Sequence, residues 1–144
     1  MADAFSCEVQ VRWGDSDRLG HVNNTKYAEY MQEARIQFLE SKLAVHGGRP
    51  GYVVVRKMTI EFLKPVTDSS GPLQIDVVTT HVGKSSFTVR HIIRDNTGAE
   101  CAFGDALMVG FDKVTERSRT LAESERSVLE AALVSVNEPQ DFVS

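Results

Sequence analysis

The stretch WGDSDRLGHVNN, residues 13–24, holds two aspartates, a histidine and two asparagines. An aspartate can act as a general base or as a nucleophile. Asparagine and glycine are typical of turns and helix N-caps, and a helix N-terminus presents unpaired amides that can polarise a carbonyl oxygen. The stretch therefore predicts either a reactive site at the start of a helix or an elaborate strand-to-helix connection.

Asp17 is the carboxylate best placed for chemistry, because it precedes the predicted helix by only a few residues. If an ester or thioester carbonyl lay on the amides near Asn23 or Asn24, Asp17 could attack its carbon or deprotonate a water that does so. A thioester suits so sparse a site because the departing thiol is acidic enough to leave without a strong general acid. Gly20 and His21 complete the polar segment, and His21 is also consistent with a packed, hydrogen-bonded residue.

Other kinds of site lack the residues that they need. A metal held by Asp15, Asp17 and His21 would need a further ligand, and no second histidine stands at a suitable spacing. The absence of GxSxG, Walker and GxGxxG motifs argues against serine hydrolases and nucleotide-binding enzymes. Cys7 and Cys101 match no metal-ligand spacing, and we expect buried free thiols, although a bridge between them stays open. We therefore expect no metal and no cofactor.

Composition restricts the partners. The chain has 144 residues, of which 42% are hydrophobic and 25% charged, as in one globular domain. A net charge of -4 argues against a broad basic surface for nucleic acid. No stretch approaches the length of a membrane span, and the N-terminus lacks the features of a signal peptide. We expect one cytoplasmic domain, residues 1–144, that binds a small partner rather than nucleic acid or membrane.

The hydrophobic pattern begins with one strand and one long helix. Alternation from Cys7 to Trp13 predicts a half-buried strand that stops at Gly14. Helical spacing follows over residues 24–48, and a Gly-Gly pair before Pro50 predicts the helix stop. The predicted buried face of this helix consists of Tyr27, Tyr30, Met31, Ala34, Phe38 and Leu43.

Four strand-like segments and a short helix follow. They span residues 51–65, 73–82, 85–94, 99–112 and, for the helix, 123–133. Small residues in the last strand predict the close approach of another backbone or a bend. The order indicates an α+β domain in which an antiparallel sheet of about five strands wraps around a central helix. Open sheet edges predict at least a homodimer.

Residues 12–35, RWGDSDRLGHVNNTKYAEYMQEAR, resemble the signature of hotdog-fold acyl-CoA thioesterases of the 4-hydroxybenzoyl-CoA thioesterase type. That signature contains D-x-D-x-x-G-x-x-x-x-x-x-Y and continues into the long helix. The order of elements extends the resemblance over roughly residues 5–112. The resemblance implies dimers with joined sheets, acyl sites at the dimer interface, and hydrolysis of acyl-CoA to a carboxylic acid and coenzyme A, which enters only as part of the substrate.

The resemblance also implies roles for individual residues. The family's catalytic carboxylate corresponds to Asp17, and its carbonyl-polarising amide belongs to the helix start near Asn24. The family's coenzyme A contacts map onto Lys84, Ser85, Ser86 and Arg90. The alternative for these four residues is an ordinary exposed hairpin. Further candidates for binding the coenzyme A phosphates are Arg56, Lys57 and Lys64.

Several alternatives stay open at this stage. The turn PVTDSSGP replaces a tighter family turn, which leaves the shape of the coenzyme entrance open. The histidine and asparagine pair in GHVNN resembles that of the family branch that acts on fatty acyl thioesters. This resemblance favours a medium or long aliphatic acyl group. Glu33 and Arg35 are expected to form a structural ion pair or to contact a neighbouring subunit. The alternative function is a non-catalytic acyl-thioester binding or regulatory protein, and the assembly is a dimer or a dimer of dimers.

Overall fold

The computed structural model describes residues 5–45 and 52–135, and side chains over 5–42 and 52–135. Its elements are β1 (Phe5–Val9), α1 (Asn24–Val45), β2 (Val53–Phe62), β3 (Leu73–Val82), β4 (Ser86–Arg94), β5 (Glu100–Asp112), β6 (Arg117–Ser118) and α2 (Glu123–Ala131). The strands form one antiparallel sheet in the order β1-β3-β4-β5-β2, and the short β6 pairs with the last residues of β5. The predicted α+β architecture is confirmed.

The apolar face of α1 is confirmed as the centre of the core. Its predicted members Tyr27, Tyr30, Met31, Ala34 and Phe38 are all buried. They belong to one cluster with the inner face of the sheet, which includes Leu73, Ile75, Val77, Phe87, Val89 and Ile93. The predictions for Leu43 and for the helix stop at residues 47–50 lie outside the described residues.

Strand β5 meets α1 with its smallest side chains. Ala102, Gly104 and Ala106 alternate along β5 and are buried. A Cβ at Gly104 would lie 2.5 Å from Sδ of Met31 and 3.2 Å from the carbonyl oxygen of Thr59. The close neighbour from the helix is therefore the side chain of Met31 rather than the helix backbone, and glycine leaves room for its sulfur.

The first strand is shorter than predicted. β1 ends at Val9, and Trp13 is 85% exposed, although alternation had placed it on the buried side. A 3-10 turn over Trp13–Asp15 causes the difference, because it turns Asp15 inward and Trp13 outward. Asp15 is only 5% exposed. The strand periodicity thus loses its meaning where the chain leaves the sheet.

A polar pair is buried between α1 and the sheet. Nη1 of Arg35 donates to Nε2 of His91 over 3.2 Å, so Nδ1 of His91 carries the proton and donates to the carbonyl of Gly104 over 2.8 Å. Burial, with a smaller effect of Arg35, lowers the pKa of His91 to about 4 against the effect of the Gly104 bond. Glu33 lies 3.7 Å from Arg12 rather than against Arg35.

Strand β2 forms an open edge of the sheet. Its one strand neighbour within the described residues is β5, and apolar side chains at Val54, Val55 and Phe62 are exposed along it. Cys7 and Cys101 are both free, Cys101 buried as predicted and Cys7 half-buried. Over residues 5–45 and 52–135, no helix is both long and apolar enough to span a membrane.

Gly104→Ala should lower the free energy of unfolding by about 1–3 kcal/mol, because the new methyl group must displace Sδ of Met31. Chemical denaturation measures this change. Gly14→Ala is the matched control, since a Cβ at Gly14 meets nothing within 4 Å, and it should change stability by less than about 0.5 kcal/mol. A loss at Gly104 that is no larger than the loss at Gly14 would contradict the packing described.

Candidate active site

Asp17 closes a tight loop at the front of the helix. Its Oδ1 accepts the backbone N–H groups of Leu19 at 2.9 Å and His21 at 3.2 Å. The Asp17 N–H donates to the carbonyl of His21 at 2.7 Å, and Gly20 supplies the positive φ of 78° that the turn requires. Oδ2 of Asp17 has no hydrogen-bond partner within the described part of the chain. One carboxylate oxygen holds the loop, and the other is available for chemistry.

Asp15 braces the same loop from inside the protein. Its Oδ2 accepts the hydroxyl of Tyr30 at 2.6 Å and the backbone N–H of Arg12 at 3.1 Å, and Nζ of Lys26 lies 3.9 Å from Oδ1. Burial raises the pKa of Asp15, but these hydrogen bonds and cations outweigh burial and hold the pKa below its usual value. Asp15 is thus a fixed anion with a structural role.

Asn23 caps α1 and leaves the next amide free. Its Oδ1 accepts the backbone N–H of Thr25 at 2.9 Å and the Thr25 hydroxyl at 2.8 Å. The backbone N–H of Asn24 has no acceptor among the residues that the structure describes. Because the helix dipole adds partial positive charge at this end, the Asn24 amide is a donor ready for a ligand oxygen.

A cavity of about 250 Å³, called the Asp17 pocket here, lies between this helix start and the end of β2. It has room for about eight water molecules. Its lining consists of Asp17, His21, Val22, Asn24, Tyr27, Phe62, Leu63, Lys64 and Pro65. The rings of Tyr27 and Phe62 meet edge to face with centroids 4.9 Å apart. The pocket thus joins one carboxylate and one amide to an apolar wall.

Backbone hydrogen bonds fix the wall that follows β2. The N–H groups of Leu63 and Lys64 both donate to the carbonyl of Cys101, at 2.8 Å and 3.0 Å. The N–H of Val66 donates to the hydroxyl of Tyr27 at 3.2 Å. These bonds connect the residues after β2 to β5 and to the helix, so the pocket has a defined shape.

Lys64 brings a cation to the pocket wall. Its Nζ donates to Oδ2 of Asp95 at 2.7 Å. Oδ1 of Asp95 accepts the backbone N–H and hydroxyl of Thr97 and the N–H of Ala99, at 2.9, 2.6 and 3.1 Å. The bond to Asp95 raises the pKa of Lys64, and the bonds from Lys64 and Thr97 lower the pKa of Asp95 far below its usual range. Both groups are charged at neutral pH.

The predicted coenzyme A contacts lie at the other end of the sheet. Lys84 and Ser85 occupy the turn between β3 and β4, and Ser86 begins β4. The pocket lies near the opposite end of β4, since Ile93 pairs with Ala102 and Ala102 pairs with Phe62. The seven residue steps from Ser86 to Ile93 span roughly 24 Å. Within one chain, these residues do not meet Asp17.

Arg90 lies apart from the other predicted coenzyme A contacts, Lys84, Ser85 and Ser86. It forms an ion pair on the outer face of the sheet. Its Nε and Nη2 donate to the two carboxylate oxygens of Asp105, each over 2.7 Å. The guanidinium also lies 4.4 Å from the ring centroid of Phe103. The structure therefore brings Asp17, His21 and Asn24 together in one pocket, supported by Gly20 and Asn23, and holds Arg90 elsewhere.

The sequence of the chain matches a known protein family over most of its length. Residues 11–134 match the family model of the thioesterase-like superfamily. The chain belongs to the thioesterase-like superfamily. It is accordingly a thioester hydrolase, and the resemblance to hotdog thioesterases predicted from residues 12–35 is confirmed.

Solved structures agree with this membership. This chain is 29% identical to a thioesterase from Thermus thermophilus that was solved in complex with coenzyme A and Zn. The match covers 88% of this chain and 92% of that one, with a TM-score of 0.75. A predicted thioesterase from Bacillus stearothermophilus, at 20% identity, shares the fold with a TM-score of 0.82 over 94% of this chain and 100% of that one. YsmA of Bacillus subtilis (strain 168) is 27% identical over 126 residues, covering 88% of this chain and 85% of that protein.

Two features of the Asp17 pocket are structural findings rather than sequence predictions. Phe62, Leu63 and Pro65 form its second wall, although the sequence pattern indicated only the end of a strand there. Lys64 was one of several candidates for an anion, and its ion pair with Asp95 could not be predicted from spacing. Among the described residues, no group of three or more His, Cys, Asp or Glu side chains could hold a metal.

Asp15→Asn should destabilise the fold by about 1–3 kcal/mol at neutral pH, because it weakens a buried, charge-assisted hydrogen bond. The pKa of Asp15 is lower in the folded protein than its ordinary value of 3.8, so the carboxylate stabilises the fold above that value. Its contribution is lost as the pH falls through the folded pKa. Denaturation of both proteins at neutral pH and near pH 3 measures this, and a difference that does not shrink in acid would contradict it.

Proposed function

We propose that this protein hydrolyses acyl-CoA thioesters to a free carboxylic acid and coenzyme A, with Asp17 as general base or nucleophile. The observation that carries this proposal is that Asp17 and Asn24 line one pocket, and that neither Oδ2 of Asp17 nor the Asn24 amide is engaged within the described residues. A thioester carbonyl oxygen on the Asn24 amide would direct its carbon towards Asp17. The relative from Thermus thermophilus binds coenzyme A, which supports coenzyme A as the carrier of the acyl group.

The reaction needs few groups. As a base, Asp17 takes a proton from a water whose oxygen bonds to the carbonyl carbon, and the Asn24 amide stabilises the resulting oxyanion. The oxyanion collapses, the carbon–sulfur bond breaks, and the departing thiolate takes the proton from Asp17. The acid product then releases its own proton to solvent. As a nucleophile, Asp17 would form an anhydride that water hydrolyses.

The residues beside Asp17 act by holding it. Gly20 permits the turn, and the backbone of His21 bonds to Asp17 through both its N–H and its carbonyl. Asn23 occupies the amide of Thr25 and thereby fixes the first turn of the helix. These three residues support the site, while Asp17 and Asn24 contact the reacting group.

The apolar wall of the pocket favours a substrate with an aliphatic acyl group of medium or long chain. Phe62 and Leu63 are 46% and 53% exposed in the single chain, so an acyl chain that passes over them removes apolar surface from water. The two free cysteines support a reducing compartment, and we place the activity in the cytoplasm.

A second copy of the chain would complete this site. The ten-residue edge strand β2 offers unpaired backbone groups and exposed valines. Antiparallel pairing of two β2 strands about a two-fold axis would set Val53 of the second copy beside Phe62. The protein would then be a homodimer, or a dimer of such dimers.

This pairing also explains the distance between Asp17 and Lys84. Val53 pairs with Gly110, and the Gly110 N–H donates to the carbonyl of Ser85 at 2.9 Å. The Lys84–Ser86 turn of the second copy would thus stand about three strand spacings, roughly 14 Å, from Phe62. Lys84 and its two serines could bind the coenzyme's phosphates across the dimer interface.

Asp17→Asn should reduce turnover by two or more orders of magnitude, roughly the cost of losing a general base. The asparagine oxygen can still accept the N–H groups of Leu19 and His21, so the loop and coenzyme A binding should survive. A panel of acyl-CoA esters with a thiol-trapping reagent measures turnover, and Glu33→Gln, outside the pocket, is the control. Near-normal turnover by folded Asp17→Asn would overturn the mechanism. Binding without turnover by the unaltered protein would favour an acyl-thioester binding protein.

Lys84→Ala should raise KM for acyl-CoA several-fold with little change in kcat, because the lysine contacts the coenzyme rather than the reacting carbon. A heterodimer of one Lys84→Ala chain and one Asp17→Asn chain, purified with two tags, tests whether the site is shared. If Lys84 acts across the interface, this heterodimer keeps one pocket with the unaltered KM. A raised KM in the heterodimer, or a compact monomer in sedimentation at micromolar concentration, would contradict the shared site.

A further inference from the structure

Lys64 is the cationic side chain among the described residues that line the Asp17 pocket. Lys64 belongs to the pocket lining and its side chain is 50% exposed, so the ion pair with Asp95 leaves part of the side chain open to a ligand. Lys64 takes no part in the steps proposed for Asp17 and Asn24. A charged group in the wall of a small cavity that holds a reactive carboxylate is expected to affect any ligand whose charge changes there.

Asp95 sets the position of this ammonium group. The carboxylate of Asp95 is only 5% exposed, and three donors from Thr97 and Ala99 hold its Oδ1. Its Oδ2 is therefore oriented by the β4–β5 turn and receives Lys64 at 2.7 Å. A lysine has three N–H donors, and two of those on Lys64 have no acceptor in residues 5–45 and 52–135. Lys64 can thus hold Asp95 and a ligand oxygen together.

Hydrolysis creates negative charge that the Asn24 amide alone cannot satisfy. The carbonyl oxygen becomes an oxyanion, and the product carboxylate then presents two charged oxygens beside the carboxylate of Asp17. One backbone N–H can serve one of those oxygens. Lys64 lies in the same cavity of about 250 Å³ and carries the opposite charge, which would offset the repulsion between product and Asp17.

We propose that Lys64 is a second catalytic residue of the pocket, whose ammonium contacts the acyl oxygen as it gains charge and then binds the product carboxylate. This inference rests on the proposed thioester hydrolysis at Asp17. Lys64 keeps its proton throughout, because the base takes the proton of the attacking water and returns it to the thiolate. Asp95 is a positioning residue that acts through Lys64.

The first test removes the charge and keeps the length of the side chain. Lys64→Met should lower kcat roughly ten- to a hundredfold, as the loss of one oxyanion donor does, while KM changes little. Lys113→Met is the matched control, since Lys113 is exposed beyond β5 and lies outside the pocket lining; it should keep the unaltered kcat.

A binding measurement separates a charge effect from a loss of structure. Calorimetric titration with octanoate and with octanamide compares a carboxylate with a neutral ligand of nearly the same shape. Lys64→Met should weaken octanoate binding at least tenfold and leave octanamide binding unchanged. Equal losses for both ligands, or no loss for octanoate, would overturn the inference.

Asp95→Asn tests the positioning of Lys64. The asparagine oxygen can still accept the bonds from Thr97 and Ala99, but its amide N–H groups would face the ammonium, donor against donor. We expect a smaller loss of kcat than in Lys64→Met, and no further loss when the two changes are combined. Additive losses would overturn the assignment.

The outcomes also separate this inference from the proposed function. If the unaltered protein is active, Asp17→Asn is inactive and Lys64→Met is normal, then Lys64–Asp95 is only a surface ion pair and thioester hydrolysis stands. If the unaltered protein hydrolyses no acyl-CoA in the panel, both proposals fail.

Discussion

The contact between Met31 and Gly104 sets how closely the helix lies on the sheet beside the Asp17 pocket. The helix packs so close to β5 that a single Cβ at residue 104 would collide with the methionine sulfur. At this depth, Tyr27 reaches both the ring of Phe62 and the backbone of Val66. Protein interiors resist changes in volume, so the depth of the helix fixes the width of the pocket at its N-terminus.

Two aspartates separated by one residue have opposite surroundings at this helix start. Asp15 is buried and bonded to Tyr30, whereas Asp17 is exposed and has one oxygen without a partner in the described residues. Burial with hydrogen bonds makes one carboxylate a structural anion, and exposure leaves the other open to solvent and ligands. The 3-10 turn Trp13–Asp15 directs Asp15 inward, whereas Asp17 follows that turn and lies in the exposed loop.

Local periodicity predicted most elements of the fold but not every contact of the site. The five buried positions from Tyr27 to Phe38 followed directly from helical spacing, because one face of a helix repeats every three to four residues. Trp13 was wrongly placed, since alternation holds only while the chain remains in the sheet. The second pocket wall at Phe62–Pro65 depends on which strand lies opposite the helix start, and that information is tertiary. The ion pair of Lys64 and Asp95 joins residues far apart in sequence for the same reason.

The loop that Asp17 closes has its shape before any ligand arrives. Backbone groups at residues 17, 20 and 21 bond to each other, and one oxygen of Asp17 completes the ring. The side chain of Leu19 points into solvent and takes no part. Such preorganisation spares a substrate the entropy of ordering the loop, so more of its binding free energy can go towards lowering the reaction barrier. The side chain at residue 19 can change without moving the carboxylate.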